Sequence, residues 1–400
     1  MLAPRTLPPP QRHYSEVEWQ RVRLGLHAMS MEEKWDAWSD GTTLRLSRSW
    51  TGYEIYRARF APDGDGWAVT ELQVETDPSR HRDTVNHPGQ FVMLVNSLLL
   101  DEDDTLEQFQ RADRGLRARA SLEGLSVGDA LGAQFFVPDN REHYRSQTVP
   151  DGLWQWTDDT QMAAVLTTHL CEHDEVRQDE LARGFAAEFD LYRGYGPGAA
   201  RLLRRVRDGE DWRQLSSELF GGNGSFGNGA AMRVAPLGAW FADRGTHQVV
   251  EQAALSAEIT HSHAEGIAGA VAVAVAAALA AADEVPPPVE LLTQVIAATP
   301  PGAVRDGLMD ARDLPDSTRP EDAARLLGNG SATTAADTVP ICAWLAIHNL
   351  SDFPAAFWAT ASVGGDIDTN CAIVGGIVSG HLGSAAIPTE WRSAREPLPD

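Results

Sequence analysis

The sequence is poor in cysteine, in basic residues and in long apolar runs. Its 400 residues include three cysteines, Cys171, Cys342 and Cys371. They are scattered and odd in number, so they predict neither a disulfide framework nor a CxxC zinc site. Lysine and arginine total 33 against 57 aspartates and glutamates, a net charge of −24. This charge disfavours binding to nucleic acid or to an anionic membrane surface, because both attract clustered cations.

No segment has the pattern of a targeting signal or a membrane span. The N-terminal residues lack the apolar core of a signal peptide. The longest apolar run, residues 266–282, is mostly alanine and a little short to cross a bilayer, so we interpret it as a buried core helix. The hydrophobic share of 43% excludes disorder as the main state. We therefore expect a cytoplasmic globular protein.

The first part of the chain has the period of β-strands. Residues 42–48, 53–60 and 67–76 alternate apolar and polar side chains, with turn-like segments between them. This pattern predicts an antiparallel meander with one wet face. Residues 15–35 and 88–100 have helical patterns. Together they predict a small α+β domain over residues 1–112.

The tryptophans of this domain have two interpretations. We expect Trp35, Trp38 and Trp50 to build its small core. The alternative is that exposed aromatic residues bind a partner, in which case the wet strand face around Arg45 and Arg57, with Arg59, is the place to look.

From residue 113 to about 390 the pattern is helical. Its segments have a 3.6-residue period or are apolar on all sides, which predicts a mainly all-α, multi-helix domain. Residues 391–400 are expected to be a tail. The proline-rich stretch from Pro286 to Asp322 is the loosest part, and we expect it to be a surface excursion.

Two acidic clusters stand among apolar residues at the starts of predicted helices. They are WTDDT at residues 156–160 and GGDIDT at residues 364–369. One acid at a helix start is explained by capping, but two acids and a threonine at each of two starts exceed that need. Carboxylates with hydroxyls are the ligands of hard cations such as Mg²⁺ or Mn²⁺, and so many carboxylates would repel without one. The clusters predict a pair of metal ions.

A glycine-rich segment, residues 221–229, precedes another predicted helix. Small residues before a helix let backbone N–H groups approach an anion, although a structural turn is the alternative. It has the pattern of neither a P-loop nor a dinucleotide-binding fingerprint. Nearby, His261 and His263 would face different directions on a helix, so we expect one buried and one surface histidine.

Five motifs in this order carry a resemblance: GLSVGDALGAQF, WTDDTQMA, GSFGNGAAMRVAPLG, THSHAEGIAGA and GGDIDTNCAIVGGIVSGHLG. Together they resemble the ADP-ribosylglycohydrolase family over residues 120–385. The resemblance implies an orthogonal all-α bundle with two Mg²⁺ (or Mn²⁺) ions. It also implies hydrolysis that releases ADP-ribose from modified protein side chains, by water attack at the anomeric carbon of the distal ribose. The N-terminal domain lies outside the resemblance.

By motif position, the resemblance implies roles for particular residues. The metal ligands would be Thr157, Asp158, Asp159, Asp366, Asp368 and Thr369, with Asp368 as the bridge. Asp158 or Asp159 would accept the proton of the attacking water, and Asp129 is a further catalytic candidate. The ligand-binding residues would be Gly224, Ser225, Phe226 and Asn228 for the diphosphate and distal ribose, His261 beside ADP-ribose, and Gly196 and Gly198 in a loop that resembles one from the O-linkage branch.

Two departures from the family pattern concern acids. Many members have a glutamate where this chain has Phe136, and that glutamate contributes to the second metal and to catalysis in the O-linkage branch. The arginine-specific branch has an aspartate near the loop at Gly196–Gly198, and this chain has none. The sequence therefore does not decide between arginine and serine as the acceptor.

Two other functions remain open at this point. An immunity protein would reverse or block an ADP-ribosylating toxin, which would then be a partner alongside the modified protein substrate. A catalytically weak module would bind ADP-ribose without cleaving it, since Phe136 replaces an acid.

Overall fold

A computed structural model describes residues 1–28, 34–81, 87–100, 103–315 and 317–399, with the backbone alone for 103–110 and 112. The chain forms two compact units, Met1–Asp113 and Arg114–Asp400.

Unit 1 is an antiparallel sheet with two helices. Its strands are β1 Pro4–Leu7, β2 His13–Ser15, β3 Trp35–Ser39, β4 Thr43–Arg48, β5 Glu54–Asp63 and β6 Gly66–Glu75; its helices are α1 Glu16–Val22 and α2 His87–Leu100. The strand order is β1-β6-β5-β4-β3, and β2 also pairs with β6. Leu46, Tyr56 and Val74 stand opposite one another across three strands, and all three are buried. They belong to the face that carries the core of the unit.

The predicted meander corresponds to β4, β5 and β6, and the predicted α+β class is confirmed. The strands β1, β2 and β3 were not predicted. The helix predicted over 15–35 is wrong beyond Val22, because α1 ends there and a strand begins at Trp35; residues 29–33 lie outside the described part. Ser15 and Glu18 form a capping box that starts α1.

The predicted tryptophan core is wrong for two of its three members. Trp35 is buried, whereas Trp38 is 56% exposed and Trp50 is 58% exposed. Alternate residues of a strand face opposite sides, so Trp38 lies on the wet face, where the guanidinium of Arg45 stacks on it. Trp50 lies in the turn between β4 and β5. The core is built instead from aromatic residues of other elements, among them Tyr14, Trp19, Tyr56, Phe60 and Phe91.

Unit 2 is helical, and its described residues form no strand longer than an isolated bridge. Its helices are α3 Asp103–Gln134, α4 Arg141–Ser146, α5 Asp158–His173, α6 Gln178–Glu188, α7 Pro197–Arg207, α8 Trp212–Gly222, α9 Ala235–Trp240, α10 Thr246–Glu258, α11 Ala264–Ala281, α12 Pro288–Ala298, α13 Ala303–Asp313, α14 Pro320–Leu327, α15 Ala335–His348, α16 Phe353–Ser362, α17 Ile367–Leu382 and α18 Thr389–Ala394. The helix α3 starts within the range of unit 1. This confirms the predicted mainly all-α class.

The helix α11 lies in the core of unit 2. It is the one helix among the described residues that is long and apolar enough to cross a membrane, and 78% of it is buried inside the protein. Its neighbours include α9, α10, α15 and α17. This agrees with the interpretation of the alanine-rich run as a core helix.

Two expectations for unit 2 are wrong. The stretch from Pro286 to Asp322 is not a loose excursion, because it forms α12, α13 and the start of α14, which bury Leu291, Leu308 and other side chains. Pro288 and Pro320 are the first residues of α12 and α14, where a missing N–H costs nothing.

Residues 391–399 are packed rather than a free tail. Trp391 is buried, and the backbone N–H of Glu396 donates to the carbonyl of Trp154 at 2.8 Å. The indole of Trp156 donates to the carbonyl of Pro397 at 3.1 Å. This segment therefore holds the chain just before the first acidic cluster.

Candidate metal and ligand site

Close packing of α3 on α17 brings the first carboxylates together. A Cβ placed on Gly128 would collide with the carbonyl of Cys371, and one on Gly132 would lie 2.8 Å from Cα of Asp368. The glycines follow one another at a spacing of one helical turn, so they form one face of α3. Because the backbones touch there, Asp129 on α3 lies beside Asp368 on α17.

Asp129 holds the start of α5. Its carboxylate accepts hydrogen bonds from the backbone N–H of Thr157 at 2.8 Å and of Thr160 at 3.1 Å. The hydroxyls of the same threonines donate to it at 2.8 and 2.5 Å. Free N–H groups at a helix start need such an acceptor, and here a residue from another helix supplies it. Asp129 therefore fixes the position of the whole first acidic cluster.

Three carboxylates converge in this region. Oxygens of Asp129, Asp159 and Asp368 all lie within 4.8 Å of one another. Burial raises the pKa of Asp159 and of Asp368, and the neighbouring carboxylates raise both further. Burial also raises the pKa of Asp129, while its hydrogen bonds from Thr160 and Thr157 oppose that change.

The remaining predicted metal ligands surround this triad. Burial and the charge of Asp129 raise the pKa of Asp158 to about 7. The hydroxyl oxygen of Thr157, which donates to Asp129, also lies 2.9 Å from the carboxylate of Asp159, and that of Thr369 lies 3.5 Å from the same carboxylate. Burial raises the pKa of Asp366, against a hydrogen bond from Asn228. The structure thus brings all six predicted ligands and Asp129 into one region.

The residues present fit a divalent cation. Oδ1 of Asp159 is buried and has no hydrogen-bond partner in the described part of the chain. None of the five clustered aspartates forms an ion pair with a described basic residue. Buried carboxylates without a counter-charge are costly, and oxygen-rich sites suit Mg²⁺ or Mn²⁺. The chemistry of the donor set therefore supports metal binding here.

A cavity of about 420 Å³ opens beside the triad. Its lining joins both acidic clusters to the glycine-rich segment and to the loop before α7. The predicted site residues that line it are Asp158, Asp159, Gly196, Gly198, Ser225, Asn228, His261, Asp366, Asp368 and Thr369. Asp129, Thr157, Gly224 and Phe226 are not part of the lining.

Asn228 ties the glycine-rich segment to the second acidic cluster. Its side-chain amide donates to Asp366 at 2.7 Å and to the hydroxyl of Thr338 at 3.1 Å. The hydroxyl of Ser225 accepts the backbone N–H of Gly227 at 3.3 Å, which holds the turn. The segment therefore has a fixed position beside the second acidic cluster.

Two other residues of the segment, Gly224 and Phe226, lie outside the cavity lining. Gly224 has a positive φ of 74°, and a Cβ there would lie 2.7 Å from the backbone nitrogen of His263. Phe226 is half-exposed and packs against Phe220, a residue of the cavity lining, with ring centroids 5.3 Å apart.

The two neighbouring histidines lie before α11 rather than on a helix, and they differ in burial. His261 is buried in the cavity wall. His263 is half-buried, and its Nδ1 accepts the backbone N–H of Glu265 at 3.1 Å, which caps α11. Neither belongs to the carboxylate cluster.

Phe136 lies just beyond the end of α3 and is 53% exposed, so this position adds no acid to the cluster. The loop before α7 is held by Arg193, which stacks on Trp156 and pairs with Glu396 at 2.7 Å.

Sequence reasoning assigned no individual role to four residues of this region. Arg193 and Glu396 hold the loop, and Arg233 and Thr260 lie buried in the cavity wall. Arg233 lies in the motif AAMRVAPLG, in the turn before α9, and its charge among apolar residues was an available signal, because a charged residue in such surroundings needs a reason.

Comparisons with known proteins agree on one family. Residues 110–398 match the family model for ADP-ribosylglycohydrolases. Human ADP-ribosylhydrolase ARH3 is 28% identical over 337 residues, which cover 70% of this chain and 89% of the human protein. An uncharacterized protein of Archaeoglobus fulgidus is 31% identical over 293 residues, with 68% and 89% covered. A solved structure named ADP-ribosylglycohydrolase-related protein complex has 25% identity and a TM-score of 0.51, and covers 71% of this chain and 94% of its own.

Proposed function

The chain belongs to the ADP-ribosylglycohydrolase family, and we propose that it is a metal-dependent hydrolase that releases ADP-ribose from modified protein side chains. The observation that carries the proposal is the triad of Asp129, Asp159 and Asp368 beside a cavity that the glycine-rich segment also lines. Carboxylates suit hard cations, and a glycine-rich backbone suits phosphates. A single ligand with a diphosphate and sugar hydroxyls would contact both the carboxylate region and the glycine-rich segment.

We propose that the site holds two divalent cations, Mg²⁺ or Mn²⁺. The residues that would hold them are Thr157, Asp158, Asp159, Asp366, Asp368 and Thr369, with Asp129 beside them. The chemistry that such ions supply when bound is compensation of the carboxylate charge and Lewis acidity toward ligand oxygens.

The reaction we propose is hydrolysis at the anomeric carbon of the distal ribose. Water attacks that carbon, and the bond from the carbon to the acceptor oxygen breaks. Asp158 or Asp159, which both line the cavity, accepts a proton from the water. The departing acceptor oxygen takes a proton from the carboxylic acid so formed. Free ADP-ribose and the unmodified side chain are the products, and the carboxylate is restored.

We propose an O-linked acceptor, such as a serine side chain, rather than arginine. Gly196 and Gly198 line the cavity, and the segment 194–198 contains no acid. An acid there would be the natural partner of a guanidinium, which it would recognise by a bidentate pair. The similarity to proteins named ARH3 supports a common substrate class.

The test is release of free ADP-ribose from a serine-modified and an arginine-modified protein. Each substrate is incubated with the full chain in Mg²⁺, in chelator, and with Asp368→Ala. The control is Asp310→Ala, which removes an exposed aspartate of α13. We expect Mg²⁺-dependent release from the serine substrate by the wild-type chain and the control only.

Release from arginine alone would overturn the proposed acceptor. Tight binding of ADP-ribose without release from either substrate would overturn the hydrolase and leave a module that binds ADP-ribose. Release that is unchanged in Asp368→Ala would overturn the proposed role of the triad.

A further inference from the structure

Arg233 is a fully buried cation in the cavity wall, and its position is fixed by several acceptors. Its terminal nitrogen Nη1 donates to the hydroxyl of Thr260 at 3.0 Å, and the terminal nitrogen Nη2 donates to the carbonyl of Ser256 at 2.7 Å. The guanidinium also lies over the ring of Phe185. Because arginine has no acceptor atom, the direction of its hydrogen bond to Thr260 is certain: Thr260 accepts.

Thr260 links this cation to His261. Its hydroxyl oxygen lies 2.8 Å from Nδ1 of His261. Thr260 is buried, and among the described residues its hydroxyl contacts no hydrogen-bond partner other than Arg233 and His261. If Nδ1 carried a hydrogen, the hydroxyl hydrogen of Thr260 would be buried without an acceptor, which costs free energy. The hydroxyl therefore donates to Nδ1.

The other ring nitrogen of His261 is directed at the glycine-rich segment. A Cβ placed on Gly229 would lie 3.1 Å from Nε2, and one on Gly227 would lie 3.4 Å from it. Nε2 has no hydrogen-bond partner among the described residues, and the ring is part of the cavity lining. Burial and the charge of Arg233 lower the pKa of His261 to about 3, so the ring is neutral at pH 7.

We infer that Arg233 and Thr260 are positioning residues that fix His261 in the tautomer with its hydrogen on Nε2. His261 then offers one neutral N–H donor to an oxygen of the ligand beside Gly227 and Gly229. The part of the inference that concerns the ligand rests on the proposed function, with ADP-ribose as the ligand. The tautomer itself follows from the hydrogen bonds of the protein alone.

A donor of fixed direction adds selectivity to the cavity. A neutral imidazole can either donate or accept at Nε2, depending on its tautomer. In the inferred tautomer, Nε2 attracts phosphate, hydroxyl and carbonyl oxygens but repels a second donor. Because the ring carries no charge, it binds an anionic group without adding to the charge of Arg233.

The test uses nitrogen NMR on the full chain labelled with ¹⁵N-histidine, because the ¹⁵N shifts of a neutral imidazole show which nitrogen carries the hydrogen. His261→Asn identifies the signal. Thr260→Val removes the hydroxyl, and Thr260→Ser keeps it. The control is Thr360→Val, which removes another fully buried threonine hydroxyl, one that donates to Ala356.

We expect the Nε2–H tautomer in the wild-type chain, in Thr260→Ser and in the control, and its loss in Thr260→Val. Calorimetry with Mg²⁺ should show ADP-ribose binding about three- to tenfold weaker in Thr260→Val, as for one lost hydrogen bond, with near-wild-type affinity in Thr260→Ser. A wild-type signal with hydrogen on Nδ1 would overturn the inference, even if Thr260→Val does not fold. So would an unchanged tautomer in Thr260→Val.

Failure of the proposed function gives a different result. If the tautomer changes as expected but no protein binds ADP-ribose, the ligand and the hydrolase proposal are wrong and the tautomer assignment stands. If ADP-ribose binds with equal affinity to the wild-type chain and Thr260→Val, the role of His261 as its donor is wrong.

Discussion

Buried carboxylates have opposite environments in the two units. Glu75 of unit 1 is fully buried, and the backbone N–H groups of Leu2, Ala3, Thr76 and Asp77 donate to it. Burial alone would raise the pKa of Glu75, but these donors lower it to about 2. In unit 2, Asp159 faces other carboxylates, and its pKa is raised by burial and by those neighbours.

The number of hydrogen-bond donors distinguishes the two environments. Glu75 stabilises the fold, whereas the clustered carboxylates of unit 2 lack partners among the described residues for part of their oxygens. Glu75 has its full set of donors within the chain, so its charge is compensated once the sheet forms. Asp159 keeps a buried oxygen without a partner in the described part of the chain. A bound cation would supply the missing partner, and without one the buried like charges lower the stability of unit 2.

The largest effect that would sharpen this contrast is expected from Asp159→Asn. Loss of a metal ligand should reduce release of ADP-ribose by at least about 100-fold. In metal-free buffer the same variant should be as stable as the wild-type chain or more stable, by about 1 kcal/mol and thus about 2–4 °C in Tm, because like charges are removed. Thermal unfolding with and without Mg²⁺ measures both states.

Mg²⁺ should raise the Tm of the wild-type chain and leave that of Asp159→Asn unchanged. The exposed Asp310→Asn serves as the matched control. A variant that is clearly less stable than the wild-type chain in metal-free buffer would contradict the view that the cluster costs stability.

Gly128→Ala is expected to have the next largest effect. The added methyl group collides with the carbonyl of Cys371, so α3 and α17 must separate. We expect the free energy of unfolding to fall by about 3 kcal/mol, which is at the upper end for overpacking. Metal binding should also weaken, because Asp129 moves away from Asp368. Urea denaturation and Mg²⁺ titration measure the two effects. Gly115→Ala, whose Cβ meets only the edge of Trp240 at 3.8 Å, is the control and should be near neutral.

Glu75→Gln tests the other side of the contrast. We expect a loss of about 2 kcal/mol at pH 7, because backbone donors lose a charged acceptor. The pKa of Glu75 is lowered by folding, so its contribution is complete above pH 5, where the unfolded carboxyl is ionised, and declines as the pH falls toward 2. Urea denaturation from pH 7 to pH 3 should therefore show the wild-type chain and the variant converging. A constant difference would contradict this assignment.

The smallest effect is expected from Trp38→Ala. This side chain lies on the wet face of the sheet, so its removal should change the free energy of unfolding by less than about 0.5 kcal/mol. Trp19→Ala, in the core, should cost about 3–5 kcal/mol. Equal effects in denaturant titrations would show that the face of Trp38 is misassigned.

Strands and helices whose sequences have a clear period were predicted well, and elements without such a period were not. The alternation of β4, β5 and β6 identified the sheet. β1 and β2 have only 4 and 3 residues, too few for a period to be visible. Proline was misleading in unit 2, because it is common both in loops and at the first position of a helix. Trp38 shows the limit of composition, since only the parity of the strand decides which face a side chain takes.

For the candidate site, the motifs contain residues that the structure brings together, but they do not show how those residues are held. The acidic clusters and the glycine-rich segment lie around one cavity, as the motifs implied. The position of Asp129 depends on contact between two helices far apart in sequence, which no local pattern contains. Arg233 and Thr260 act through His261, and the hydrogen bonds that join them exist only in the folded chain.

The packing of α3 on α17 also has a consequence for folding during synthesis on the ribosome. Asp129 and Asp368 are about 240 residues apart, and at about 5–20 residues per second synthesis of that interval takes roughly 12–48 s. Thr157 and Thr160 emerge early, so Asp129 has hydrogen-bond donors while the nascent chain grows. The glycine face of α3 can pack only after α17 has been synthesised. The acidic triad is thus assembled only after the roughly 240 residues between Asp129 and Asp368 have been made.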